Sequence, residues 1–386
     1  MNTVATGFSS ASNSHEAARE IVHQLRNTMD HADSLILFSS SRHEYETLLR
    51  TITDSFPVEQ LVGCSSAGEF VGTKHGEGSV TAIAFRSGEM AFSSGLGTNL
   101  SASPRDAAAG MLGSFRGLNN NDYRYKYALV LNDALAGYAE ELIQQIAIQS
   151  GGRYQLFGGG AGDDAAFRRT HVFFGKEAHS NAAVGLEILS NKPLGIGVRH
   201  GWVPATSPFR VTEAKGNAVY SLNATPVEDV VHEYAASTQQ EFDRTDPLPF
   251  LLHNILGLKT DAGYKLRVPL GFGADGSLTC AAEVPTGAAV SIMSSDGTSA
   301  AHAAAEATRD AISQLEGNKP GAALFFDCVA TRLRVGKGFG NELGAVEQVL
   351  GSIPLVGCNT YGQIARADGQ FSGFHNCTAI VCVIPE

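Results

Sequence analysis

The side chains able to do chemistry in this chain of 386 residues gather in three loops that resemble one another. Leu61 to Glu69 reads LeuValGlyCysSerSerAlaGlyGlu, Leu156 to Asp163 reads LeuPheGlyGlyGlyAlaGlyAsp, and Leu355 to Gln363 reads LeuValGlyCysAsnThrTyrGlyGln. Each is an apolar pair, a glycine-rich turn and a closing acidic or amide side chain. Glycine lets backbone N–H groups approach a bound molecule, and polar groups at such loops rim small-molecule pockets. The expected pocket residues are Cys64, Ser65, Ser66, Glu69, Gly160, Asp163, Asp164, Cys358, Asn359 and Tyr361. The alternative is three tight turns carrying exposed carboxylates. Cys64 and Cys358 hold the same loop position, where the second loop has Gly159. As thiolates they could act as nucleophiles, which keeps a cysteine-dependent hydrolase or transferase as an alternative. No base stands at a recognisable spacing, so packed or pocket-lining thiols are the favoured reading. Asp163 and Asp164 are adjacent and would point apart on an extended backbone, a poor geometry for a shared proton.

Twelve histidines could supply an axial donor to a haem. His200 is the first candidate: it follows a predicted buried strand and sits beside Arg199 and Trp202, a cation and an apolar wall. Its alternative is a histidine hydrogen-bonded at a strand end. His253, in the apolar run Phe250 to Leu256, is the second, with core packing as its alternative. The six cysteines show no CxxC spacing, and the absence of CxxCH excludes covalent c-type haem. No His pair or His/Cys pair has zinc spacing. A dinucleotide fingerprint, a P-loop and a GxSxG elbow are all missing, so a non-enzyme is expected.

The elements that must position these loops also recur. An apolar run precedes each loop: Leu35 to Phe38, Ala128 to Leu131, Ala323 to Phe326. Such runs read as buried strands. Between run and loop lies a helical stripe, for example Leu343, Val346, Val349 and Leu350 in the third copy. Another stripe precedes each run: Ala17 to Leu25, Ala107 to Phe115, Ala304 to Leu315. The small-residue segments Thr6 to Ser10, Ser93 to Gly97 and Ser291 to Ser295 open the copies. Strands Ser79 to Phe85, Asn181 to Ile188 and Asn376 to Val383 close them. The fold class expected is α/β, with repeated β-α-β-α-β-β units forming mixed sheets flanked by helices. Residues 190–290 do not match the unit and read as a β-rich insert. A boundary near residue 192 gives two domains: 1–192 with two repeats, and 193–386 with the insert and the third.

Apolar residues make up 43% and charged residues 17%, which excludes a disordered chain. The net charge of −11 with no basic cluster argues against nucleic acid as a partner. No apolar stretch could span a bilayer, and the N-terminus lacks the pattern of a secretory signal. A cytoplasmic protein with reduced thiols is expected.

GlyCysSerSerAlaGlyGlu (Gly63 to Glu69), GlyGlyGlyAlaGlyAspAsp (Gly158 to Asp164), GlyValArgHisGlyTrp (Gly197 to Trp202), and ValGlyCysAsnThrTyrGlyGlnIle (Val356 to Ile364) with PheHisAsnCysThr (Phe374 to Thr378) resemble the FIST sensory domain in its FIST-N plus FIST-C arrangement. The similarity covers nearly the whole chain. It implies a ligand-sensing module of bacterial signal transduction, with amino acids among the suggested ligands. With no output domain in the sequence, a separate partner is implied. ValAlaThrGlyPheSer (Val4 to Ser9) looks most like the nitric-oxide-sensing branch, which implies b-type haem, nitric oxide as ligand and a histidine kinase as partner, in two-component or cyclic-di-GMP signalling. The oligomeric state is left open, a homodimer among the options.

Overall fold

The structure is a computed structural model that describes residues 2–367 and 373–386. The first unit runs β1 (Asn2–Ser9), α1 (Ser14–Arg26), β2 (Ala32–Ser40), α2 (Tyr45–Ser55), β3 (Val58–Ser66), β4 (Glu69–Val71), β5 (Lys74–Gly76) and β6 (Val80–Ser87). The second repeats it as β7 (Ala91–Thr98), α3 (Pro104–Leu112), β8 (Tyr125–Asn132), α4 (Ala139–Gln149), β9 (Gln155–Gly160), β10 (Val172–Phe174), β11 (Glu177–His179) and β12 (Ala182–Ser190). The third opens with β13 (Gly195–Arg199), just after residue 192. It resumes at α5 (Ser299–Ser313), β14 (Pro320–Cys328), α6 (Val329–Val335), α7 (Phe339–Leu350), β15 (Leu355–Thr360), β16 (Gln363–Arg366), β17 (Gly373–His375) and β18 (Ala379–Pro385).

The fold is α/β, with mixed sheets flanked by helices. The repeated unit carries one feature the spacing did not reveal, a short hairpin between the glycine loop and the closing strand. That hairpin is exchanged. The three sheets have the orders β1-β6-β2-β3-β10-β11, β7-β12-β8-β9-β16-β17 and β13-β18-β14-β15-β4-β5. Four strands of each sheet come from one unit and the last two from a neighbour, so the units close a ring. Val172 pairs with Cys64, Gln363 with Gly159, and Glu69 with Cys358. The strand before each glycine loop is thus capped by another unit's hairpin.

Helices α1 to α5 and α7 form where the apolar stripes predict, and α6 is a further short helix that no stripe marked. Asn13 caps α1 by accepting from His15 and Glu16 N–H groups, and Ser103 caps α3 ahead of Pro104. Ala17, Ala18, Ile21, Val22 and Leu25 bury the inner face of α1. The inner sheet faces meet in one central core, where Phe38, Leu131, Phe157 and Phe326 pack together. Alternate residues face the helices in outer cores.

The opening strand of the third unit differs from expectation. Ala289–Ser294 pairs with Ile255–Thr260 inside the insert, so Ser291 to Ser295 opens nothing. The opener is β13, which pairs with β18 as β1 pairs with β6 and β7 with β12. The reason is steric. A Cβ at Gly197 would lie 1.8 Å from the Ala307 carbonyl oxygen, and one at Gly97 would lie 1.9 Å from that of Ala107. The helix can dock this closely only over glycine. The insert, residues 200–298, separates β13 from its helix. It folds as a nine-stranded sheet with its own core around Val211, Leu222, Val230 and Leu278. The Lys265–Glu140 ion pair, 2.8 Å, ties it to α4.

Gly197→Ala should therefore destabilise the protein by about 2–3 kcal/mol through overpacking. Gly344→Ala on α7, where a Cβ meets nothing within 4 Å, should be neutral or stabilising by about 0.5–1 kcal/mol. Urea unfolding of the two variants checks this; equal midpoints would contradict the docking described.

Candidate functional site

The parallel pairs β2–β3, β8–β9 and β14–β15 all end at the three glycine loops. In open α/β sheets the carboxyl ends of parallel strands are where ligands bind. Here the loops bind one another. Ala67 N–H donates to Asn359 O at 2.9 Å, and Asn359 N–H to Gly68 O at 2.8 Å. Gly160 N–H donates to Gly362 O and Tyr361 N–H to Gly160 O, both at 2.9 Å. Gly162 N–H reaches Ser65 O at 2.9 Å, and Asp164 N–H reaches Ser66 O at 3.1 Å. These backbone donors are consumed within the junction. The first glycine of each loop serves the sheet: a Cβ at Gly63, Gly158 or Gly357 would lie 2.0–2.1 Å from the carbonyl oxygen of Leu37, Val130 or Phe325.

Cys64, Ser65, Ser66, Glu69, Gly160, Asp163, Cys358 and Asn359 are all buried in this junction. Glu69 accepts from the Ser66 hydroxyl at 2.5 Å and from the Ser79 hydroxyl and N–H at 2.7 and 3.2 Å. Burial pushes its carboxyl up to about 7 against those hydrogen bonds. Asp163 accepts from the N–H groups of Phe167, Arg168 and Arg169 at 2.7–2.8 Å and from the Tyr361 hydroxyl. It fixes a loop in which Asp164, Ala165 and Phe167 take φ of 55°, 62° and 52°. Asp164 accepts from Ser40 and Ser41 and borders a polar groove of about 460 Å³ with Arg42, His75, Glu77, Arg332 and Lys337. Cys64 and Cys358 lie side by side, and burial keeps the Cys358 thiol protonated. Asn359 donates to Asp327 at 3.1 Å.

The residues beyond the loops lie elsewhere. Arg199 pairs with Asp310 at 2.6 Å. Trp202 is buried with Met293 and Leu266, and the Arg334 guanidinium lies 5.0 Å over its ring. His200 Nε2 contacts Tyr264 O at 2.9 Å, and its Nδ1 accepts from Trp202 N–H at 3.3 Å. Burial holds its imidazole below the ordinary value. His253 is exposed, and its pKa is lowered by desolvation and by Arg334.

Tyr361 reaches a different feature, an apolar cleft of about 710 Å³ beside the junction. Its ring stacks on Phe167, centroids 4.5 Å apart. Among the described residues eight large apolar side chains are exposed, and six of them line this cleft: Leu135, Tyr138, Phe167, Leu248, Leu270 and Leu333. Concentration on one concave surface distinguishes them from ordinary scattered exposure. Leu135 and Tyr138 follow the end of β8, Leu333 belongs to α6 after β14, and Leu248 and Leu270 come from the insert. The loop pattern pointed to the junction and missed this wall. The available signal was position just past the strands before the loops, at Gly137, Tyr138 and Leu333. For the insert residues no repeat existed to read.

The histidines His200 and His253 are not on the cleft wall, and the wall carries Glu140, Glu141 and Glu283 with no Lys or Arg among the described residues. These residues do not fit a haem held through His200 or His253, whose propionates would meet carboxylates. Sulfur and phenol donors do line the cleft, from Cys328, Tyr138 and Tyr361.

A three-unit α/β ring with a large apolar cleft at its strand ends is the class of molecule this geometry defines. The FIST N domain matches residues 33–225 and the FIST C domain residues 229–366. The chain belongs to the FIST family, and FIST domains are sensory modules of signal transduction that bind small ligands. No curated protein matches. A solved structure described as "Crystal structure of cyanuic acid hydrolase from A. caulinodans" aligns over 100% of both chains at 8% identity and a TM-score of 0.36, too distant to bear on function. Among the described residues no helix is long and apolar enough to cross a membrane.

The Glu69 carboxyl gives a pH signature. Its folded value of about 7 lies above the ordinary 4.5, so its stabilising protonated state is fully present below pH 4.5 and is lost as pH rises through 7. Glu69→Gln stays neutral throughout. The stability of the variant relative to wild type should rise by about 3 kcal/mol between pH 4.5 and 7.5 and then stay level. Urea unfolding across that range checks it; a constant difference would show that Glu69 is ionised in the fold.

Proposed function

We propose that the protein is a signalling sensor whose ligand seats in the apolar cleft and whose readout passes through α6. The observation that carries this reading is the convergence of exposed apolar side chains at the carboxyl ends of β8 and β14. The Phe167–Tyr361 stack suits a flat apolar body, and the carboxylates of Glu141 and Glu283 at the wall suit an amine. An aromatic amino acid or related amine is the ligand class these groups favour. Val329 and Leu333 of α6 line both the cleft and the polar groove. Arg332 on the same helix donates to Ala67 O and pairs with Glu77 at 3.1 Å. A ligand that repositions α6 would redraw the charged groove, the surface we assign to a separate output protein such as a histidine kinase. A coupling of about 1–3 kcal/mol suffices for such a switch.

The haem b and nitric oxide reading is supported by the apolar wall and by its thiol and phenol donors, and opposed by its carboxylates. The haem-free reading is the one the cleft favours. A thermal-shift panel of amino acids, aromatic amines and haemin tests both. Aromatic amines should raise the melting temperature by several degrees, and Leu270→Glu should abolish the shift while leaving the melting temperature without ligand unchanged. If no amine shifts the protein and haemin gives a Soret band that is lost in Cys328→Ala, Tyr138→Phe or Tyr361→Phe, the haem reading replaces it.

A further inference from the structure

The polar groove between α6 and the end of β2 is the apolar cleft repeated one unit further round the ring. The strand registers fix the correspondence. Asn132 lies opposite Gly160, Asp327 opposite Asn359 and Ser39 opposite Ser65. Counting on from these, Gly137 and Tyr138 after β8 match Arg332 and Leu333 of α6, and Ala330 after β14 matches Arg42 after β2. The hairpins agree. Gln363 opposite Gly159 matches Glu69 opposite Cys358, and Phe374 opposite Ile364 matches His75 opposite Phe70. Two residues on, Asn376 matches Glu77. In each pair the first member lines the cleft and the second the groove. The groove keeps a concave shape of about 460 Å³ and exchanges the chemistry: glycine, alanine, phenylalanine and asparagine give way to two arginines, a histidine and a glutamate.

Three cations border the groove, Arg42, Arg332 and Lys337, in a chain of net charge −11. Arg332 donates to Ala67 O and pairs with Glu77 at 3.1 Å, where the Glu77 side chain is 70% exposed. A Cβ at Gly78 would lie 3.2 Å from Arg42 Nη1, which sets a second guanidinium against the same segment. Arg42 and Lys337 are exposed and have no ion pair among the described residues. Asp164, the other carboxylate of the groove, already accepts from the Ser40 and Ser41 hydroxyls and from Ser41 N–H. An exposed ion pair such as Arg332–Glu77 is weak, and guanidinium forks match phosphate oxygens. We propose that the groove is a second small-ligand site, for a phosphate-bearing anion that takes Arg332 from Glu77 and engages Arg42 and Lys337. Glu77 is then the internal stand-in for the ligand. The anion goes beyond the docking role given to the groove, and only the comparison with a ligand cleft rests on the proposed function.

The test is calorimetric titration of the full chain at low salt with pyrophosphate, adenosine monophosphate and adenosine. Pyrophosphate or the monophosphate should bind at one site and adenosine should not; which of the two binds tells a free phosphate from an esterified one. Arg42→Ala and Lys337→Ala should each weaken binding by about tenfold. Both side chains are exposed, so the variants keep the fold. Glu77→Gln should tighten binding about threefold or more, because the competing carboxylate is gone; a merely structural Arg332–Glu77 pair would not produce that sign. Absence of binding by either phosphate compound, an affinity unchanged in the Arg42→Ala, Lys337→Ala double variant, or adenosine binding as tightly as its monophosphate would overturn the proposal. No amine is present in the titration, so its failure leaves the cleft ligand standing, and failure of the amine panel leaves the anion site standing.

Discussion

Backbone hydrogen bonds between loops far apart in the chain hold the molecule together. Asn359 of the third loop accepts from Ala67 N–H and donates to Gly68 O in the first, Gly160 accepts from Tyr361 N–H and donates to Gly362 O, and Gly162 N–H donates to Ser65 O. A buried peptide group left without a partner costs about 1–3 kcal/mol, so each loop needs the other two to be buried. The exchanged hairpins enforce the same condition, because β3, β9 and β15 would each present an open edge without a neighbour's hairpin. Mutual dependence of this kind makes the ring one cooperative structure and leaves little freedom at its centre.

That constraint decides the chemistry of the junction. Side chains displayed on glycine loops are reactive when the loop is open to solvent. Here Glu69, Asp327 and Cys358 are enclosed, and burial drives each toward its neutral form. Asp163 is spent on three backbone donors and the Tyr361 hydroxyl. The open apolar surface lies further out at the rim, where Phe167 and Tyr361 emerge from the same loops. The junction thus orients the aromatic pair of the cleft.

The insert completes the rim. It enters between β13 and α5, away from the ring's hydrogen-bonded centre, and supplies Leu248, Leu252, Val268 and Leu270 to the cleft. The second wall is α6, which also borders the polar groove beside Arg332 and Lys337. Val329 and Leu333 of this short helix face both the apolar cleft and the charged groove, which makes it the element the two sites share.

The sequence by itself determined the units. The stripe Ala17, Ala18, Ile21, Val22, Leu25 and its counterparts set the helices, the apolar runs set the central strands, and the matched loops set the register of one copy on another. These signals are local, and periodicity reports which face of an element is apolar. It was silent on pairing. Strand pairings such as Gln363 opposite Gly159, or Glu69 opposite Cys358, leave no trace in composition, so the hairpin exchange and the true opening strand Gly195–Arg199 emerged only when glycine met helix backbone in three dimensions. The tertiary structure also decided that the loop residues close on each other while Leu135, Tyr138, Leu270 and Leu333 form the open surface, because burial is settled by which elements meet.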